Sequence, residues 1–373
     1  MSYWKSFGLV IFAAVCLGET DRSAQAQSFY ATEWSGGKII SLGGLPDSSY
    51  STALSINNVG QAVGVSEVGG ADTATEWSDG KVINLGGLPG STGSQAYGIN
   101  SGGQIVGVSI FGPNTLVATE WSGGRIINLG GLPTYTYSSA RGINDAGQAV
   151  GFSVVGGVSY ATEWSGSSIV DLGGLNGSAS AASDINDAGQ VVGLSNNGPI
   201  GGSPTEWSGG TLISLGALPD FNSSGPSIIN NFGQVVGTSV KFSTGGLTTA
   251  TEWSDGRIID LQGLVGSIDS EANSINDAGQ VVGYSIAGNI QYATEWTGIV
   301  GGSIINLGGL PGFTQSVAYG INDAGQAVGV SYTDIAPSPP IPVPESPTWA
   351  MILAGFFGLA FAGYRRANAT CRG

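Results

Sequence analysis

Residues 118–133 read Ala-Thr-Glu-Trp-Ser-Gly-Gly-Arg-Ile-Ile-Asn-Leu-Gly-Gly-Leu-Pro, and near copies of this stretch recur along most of the chain. Its tryptophan is one of seven that follow a Thr-Glu pair: Trp34, Trp77, Trp121, Trp164, Trp207, Trp253 and Trp296. The spacings between them are 43, 44, 43, 43, 46 and 43 residues. Tandem units of this length form solenoids, propellers or arrays, because each unit leaves an apolar face that only its neighbour can cover. Within the unit, Asp79-Gly80 and Asp255-Gly256 sit between two alternating runs, a strong signal for a two-residue hairpin.

The other half of the unit is clearest at residues 318–330, Ala-Tyr-Gly-Ile-Asn-Asp-Ala-Gly-Gln-Ala-Val-Gly-Val. Two short β-branched runs flank Asn322-Asp323-Ala324-Gly325, which suits a type I turn closed by a left-handed glycine. Equivalent glycines stand at Gly60, Gly103, Gly147, Gly189, Gly233 and Gly279. Each unit therefore supplies four short antiparallel strands. Seven such units are the signature of an all-β, seven-bladed β-propeller with four-stranded blades. The near-constant Leu-Gly-Gly-Leu-Pro segment, at Leu42, Leu85, Leu129 and Leu307, is expected to cross from the outer strand of one blade to the inner strand of the next. With that phase the ring closes on a mixed blade, two strands from 29–42 and two from 318–331. Starting each blade at the Thr-Glu-Trp strand would instead give seven complete blades. Either way the tryptophans are core residues, each burying roughly 200 Å² and contributing on the order of 5 kcal/mol gross. Closing a loop of this length costs about 5 kcal/mol, so one blade's burial offsets it.

The repeat resembles the HAF-type extracellular repeat of bacteria, with Ala293-Thr294-Glu295 where that family has His-Ala-Phe before the tryptophan. The resemblance covers residues 29–332 and implies no established activity.

The two ends differ from the repeat. Residues 1–26 carry Lys5, an apolar run from Phe7 to Leu17 and the small-residue sequence Ala24-Gln25-Ala26, read as a secretory signal peptide cleaved after Ala26. The propeller is expected over 27–333. A Pro-rich linker with a sorting motif follows over 334–347, then an apolar segment over 348–366 read as a transmembrane helix, and a short tail over 367–373. Val343-Pro344-Glu345, Pro347, Thr348-Trp349-Ala350-Met351 and Arg365-Arg366 resemble the PEP-CTERM sorting signal, with Ser346 inside the family's Pro-Glu-Pro. That resemblance implies an exosortase-type processing partner, anchoring in the membrane through the C-terminal helix at least transiently, and a location at the cell surface or outside it.

Composition narrows the chemistry. The net charge of −15 disfavours nucleic acid and anionic polysaccharide as partners, and a 10% share of charged residues leaves a surface of Ser, Thr, Asn and Gly. There is no histidine, and Cys16 and Cys371 lie near the chain ends, so histidine- and cysteine-based triads and histidine metal sites are excluded. No cofactor is expected. The repeated acids Glu33, Glu76, Glu120, Glu163, Glu206, Glu252 and Glu295 would need a bound cation if their strands lined a central channel. Against that, each would point to solvent or accept hydrogen bonds from a neighbouring blade edge. Asp145, Asp187, Asp277 and Asp323 share an acidic turn pattern with calcium loops, but the hairpin turn accounts for them. The expected role is non-catalytic, binding or scaffolding in the envelope or exopolysaccharide matrix, with polysaccharide or an envelope protein as partner. Binding would use the variable connections over 111–117, 196–204 and 241–249. The alternative is a propeller glycoside hydrolase or lyase, for which Asp220, Asp269 and Glu271 are the non-repeated acids.

Overall fold

The structure is a computed structural model, and it describes residues 29–112, 115–196, 202–242, 246–298 and 302–333. Seven four-stranded antiparallel sheets stand in a ring. In blade 1 (48–84) the strands run Ser48–Ile56, Ala62–Val68, Ala71–Ser78 and Lys81–Asn84, paired in that order. Blades 2 to 6 (93–130, 135–171, 180–214, 223–260 and 267–306) repeat the plan. The first strands of successive blades contact one another around a closed circle, so they surround the axis and the short fourth strands, four residues in six blades and six in blade 2, form the rim. Each first hairpin turns through a type I-like bend: in blade 1 the Asn57 N–H bonds the Gln61 carbonyl at 3.0 Å, and Gly60 takes a φ of 85°.

The closing blade is mixed, as the Leu-Gly-Gly-Leu-Pro phase requires. Its two inner strands, Gln315–Ile321 and Ala327–Tyr332, come from the end of the repeat array, and Phe29–Ser35 and Lys38–Ser41 from its start complete it. Six register pairs, Phe29 with Tyr332 through Trp34 with Ala327, join the two ends.

The seven tryptophans are 3–5% exposed, and each is covered by the preceding blade. Trp77 packs with Ala31 and Val328 of the closing blade, Trp121 with Val63 and Ala74 of blade 1, and Trp34 with Val282 and Ala293 of blade 6. In five blades the indole N–H is satisfied on the crossover that enters its own blade, as where Trp77 donates to the Gly43 carbonyl and Trp34 to that of Gly308, both at 3.1 Å, whereas the buried N–H groups of Trp164 and Trp296 have no partner. A second stitch crosses the same gap, where a third-strand N–H donates to a serine hydroxyl of the next inner strand, Ala74 to Ser94 and Ala118 to Ser138, both at 3.0 Å. Blade 4 has Pro204 at that alanine's place and lacks the donor. There the receiving serine, Ser224, bonds Ser239 at 2.9 Å instead.

One reading of the sequence is corrected. Among the described residues no helix is long and apolar enough to cross a membrane, so the described fold is a propeller without a transmembrane helix. The span read over 348–366 lies outside the described residues, as do the sorting-signal residues Pro344, Glu345, Pro347, Arg365 and Arg366 and the cleavage residue Ala26. Membrane anchoring, an exosortase partner and a surface location inferred from that helix thus have no support in the structure.

The glycine in the middle of each second strand is required by close approach. A Cβ at Gly151 would lie 2.0 Å from the Ser139 carbonyl oxygen, and the equivalent distance is 1.9–2.1 Å in the other six blades. Backbone cannot yield there as a side chain would. Gly151→Ala is expected to cost at least about 2–3 kcal/mol, read as a fall in the thermal midpoint. A wild-type melting curve would contradict this account of the second strand.

Candidate functional site at the propeller axis

Each inner strand slips register by one residue near its end, between Ala53 and Ser55 in blade 1 and at the same place in every other blade. Such a bulge leaves one residue without a cross-strand partner and re-aims its side chain. The seven bulged residues are Leu54, Tyr97, Arg141, Ser183, Ser227, Asn273 and Tyr319, all of them part-exposed. An isoleucine follows each at two residues and a buried asparagine at three. The bulge position is thus one place where a repetitive chain departs from repetition. Around the axis at this level lies a cavity of about 100 Å³ to which all seven blades contribute, with Leu54, Tyr97, Arg141, Asp184, Ile228 and Tyr319 in its wall.

Burial by the surrounding blades sets the electrostatics. Desolvation lowers the Arg141 guanidinium to a pKa of about 10, and the nearby Tyr97 phenol works against that shift. These groups keep some surface open to the cavity although protein packs around them on every side. The guanidinium lies 5.1 Å from the centre of the Phe152 ring, and no carboxylate among the described residues pairs with it. Tyr97 donates to Gln95 Oε1, Gln95 Nε2 to Asp72, and Tyr50 to the other Asp72 oxygen, a chain that fixes the Tyr97 ring. Desolvation raises Tyr97 as well. Desolvation also raises Asp184 to about 7, against the bonds its carboxylate accepts from the Ile229 and Ile185 N–H groups. Behind the wall, in blade 6, Glu271 is only 4% exposed and its Oε1 has no hydrogen-bond partner. Desolvation raises it to about 7; a hydrogen bond from Tyr284 opposes the rise, and Asp269 adds to it.

The acids singled out in the sequence fall elsewhere. The seven glutamates lie on third strands, away from the axis, and each accepts from a glutamine of its own blade: Gln61 for Glu76, Gln104 for Glu120, Gln148 for Glu163, Gln190 for Glu206, Gln234 for Glu252, Gln280 for Glu295 and Gln326 for Glu33, at 2.9–3.2 Å. The same glutamine accepts from the hairpin asparagine, whose Nδ2 also reaches the backbone carbonyl of the next blade's asparagine. From Asn57 to Asn322 and back to Asn57, these bonds form a closed ring of seven at 2.9–3.1 Å. Beside that ring Asp145, Asp187, Asp277 and Asp323 accept backbone N–H groups from the preceding blade at 2.8–2.9 Å. They are inter-blade caps. No group of three or more acidic, histidine or cysteine side chains able to hold a metal occurs among the described residues.

Of the non-repeated acids, Asp220 is exposed in a left-handed turn with φ 67°, and Asp269 accepts the Thr248 N–H at 2.8 Å. The variable connections 111–117, 196–204 and 241–249 lie in part outside the described residues. Sequence reading passed over the bulged residues. A partial signal was available: the residue two before each invariant isoleucine varies, with five kinds among seven blades, although the position two residues earlier varies more.

No family model matches the chain, and no curated protein does. Solved structures do. A puromycin-hydrolyzing peptidase from Mycobacterium tuberculosis is similar with a TM-score of 0.50 and 13% identity, over 73% of this chain and 48% of that one. TolB from Acinetobacter baumannii gives 0.44 and 12% over 70% and 59%, and a putative TolB from Agrobacterium tumefaciens 0.47 and 11% over 83% and 100%. The chain thus spans only 48% and 59% of the peptidase and the Acinetobacter protein. At these identities the likeness extends to the propeller fold alone.

Both raised carboxyls predict how stability follows pH. A group whose pKa is higher folded than unfolded favours the fold fully below the unfolded value and loses that contribution as pH rises through the folded value. With unfolded values of 3.8 for Asp184 and 4.5 for Glu271 and folded values of about 7, the thermal midpoint should fall between about pH 4 and pH 7 and flatten above. Glu271→Gln should remove part of that slope and raise stability at pH 8 by on the order of 2–3 kcal/mol. A midpoint that rises across this range would contradict the burial of both acids.

Proposed function

We propose that this protein is a non-catalytic binding propeller whose ligand is a glycan of the exopolysaccharide matrix, and that its repeat is of the HAF type. The observation that carries the reading is where the blades differ. The wedges and the Asn-Gln-Glu relays repeat seven times and the serine stitches six, whereas the bulge positions carry seven side chains of five kinds, four of them in the wall of the axial cavity. A scaffold needs its joints alike; recognition of an asymmetric ligand needs unlike groups at one place.

Hydrolysis or elimination is disfavoured by the same geometry. Paired-carboxylate chemistry needs two accessible acids on either side of a scissile bond. Glu271 is sealed from solvent, Asp269 is tied to a backbone N–H, and Asp184 already accepts two.

A glycan array run beside a reducing-sugar release assay tests the reading. The expected result is binding with no sugar released. Release that disappears in Asp184→Asn would replace the binding role with a hydrolytic one.

A further inference from the structure

The identity of the glycan and its seat on the propeller rest on that binding role and on how the axial side chains are arranged. Position around the ring decides which of them face one another. Tyr319, Leu54 and Tyr97 come from three consecutive blades, the closing blade, blade 1 and blade 2, and form one continuous apolar and aromatic wall of the cavity. Diametrically opposite are blades 4 and 5, whose bulged residues are the small Ser183 and Ser227. At cavity level those two blades present Asp184 and Ile228, and the flanks are Arg141 from blade 3 and Ser274 from blade 6. One side therefore contributes two tyrosines and a leucine, and the rest contributes hydrogen-bonding groups together with Ile228.

That division matches a pyranose ring, which has a C–H face and a hydroxyl edge. Aromatic rings take the first, and a guanidinium with its fork of N–H donors takes paired hydroxyls on the second. Among the described residues Arg141 makes no ion pair or hydrogen bond, so its donors remain to be satisfied, whereas Asp184 is held at the cavity floor by two backbone N–H groups. Volume limits the ligand to one unit. A cavity of about 100 Å³ has no room for more than one sugar ring, so a chain end enters and a chain interior does not. Charge selects further. The cap ring bears Asp145, Asp187, Asp277 and Asp323, Asp184 lines the cavity, and the chain carries a net −15, so the field opposes carboxylated or sulfated sugars.

We propose that the axial cavity holds the terminal residue of a neutral glycan, its C–H face against Tyr97, Leu54 and Tyr319 and its hydroxyl edge toward Arg141, Asp184 and Ser274.

The repeat supplies variants that other blades already tolerate. Ser227→Tyr places in blade 5 the residue that blade 2 and the closing blade carry there, and adds a ring beside Ile228 of the cavity wall without removing a cavity donor. Arg141→Ser places in blade 3 what blades 4 and 5 carry. The full chain and both variants are titrated calorimetrically with neutral oligosaccharides and with uronate-terminated oligosaccharides of equal length, and thermal melting confirms that each variant is folded. The expected result is binding of neutral chains that weakens at least tenfold in each folded variant. A preference for uronate-terminated chains overturns the neutral assignment. Neutral binding unchanged in both folded variants overturns the axial site and leaves a glycan-binding role elsewhere on the propeller. Binding of neither class overturns the role and the site together.

Discussion

The structure depends on the fact that no blade covers its own indole alone. Each tryptophan sits on a third strand and is buried by the second and third strands of the blade before it. Burying some 200 Å² of ring contributes about 5 kcal/mol gross, but only when a neighbour is present. An isolated unit would leave that face wet, and an open array would leave one at its end. Ring closure removes the last exposed face, here by bringing Val282 and Ala293 against Trp34 and pairing Phe29–Ser35 with Ala327–Tyr332. The polar network follows the same logic, since the asparagine ring is complete only because Asn322 reaches the carbonyl of Asn57.

Much of this was legible in the residues, and what was not has a physical reason. Period and hairpin turns are local, so the strand count and the buried tryptophans could be read before any coordinates, and the mixed closing blade as one of two possible phases. The repeated glutamates could not be placed, because their meaning depends on register. Glu76 stands across from Val63, close to the turn where Gln61 can reach it, and nothing in the spacing of 15 residues announces that pairing. The aspartates of the hairpin turns are similar, since Asp145 and Asp187 belong to adjacent blades and meet only through the ring. The bulge was hidden for another reason. A strand with one extra residue reads as a strand of ordinary length, so Tyr97 and Arg141 pass for alternate positions on a sheet face. The reading of the C-terminal apolar segment as a membrane helix went beyond the body that the structure describes.

The bulges connect stability to function. Seven similar joints fix seven inner strands around the axis, and the bulge in each frees one side chain from cross-strand packing. Those positions vary at little cost because no wedge or relay passes through them. The close contact of Gly151 with the Ser139 carbonyl shows how tightly the backbone is held beside them. A rigid frame with replaceable axial groups can carry recognition without catalysis. The buried acids near the axis, Asp184 and Glu271, are the exceptions, held where desolvation opposes their charge.

The central claim is that the blades are stable as a ring and not as a row. It is tested most directly by amide hydrogen exchange in blade 3, remote from the seam, with and without residues 29–42, the two strands that complete the closing blade. In a closed ring, removing them exposes the faces against blade 6 and blade 1 and unlocks the whole, so protection in the strands Tyr135–Ile143 and Ala149–Val155 should fall together with that at the seam. If blade 3 kept its protection while only the neighbours of the deletion lost theirs, the units would be behaving as an open row with nearest-neighbour coupling, and the account would be wrong.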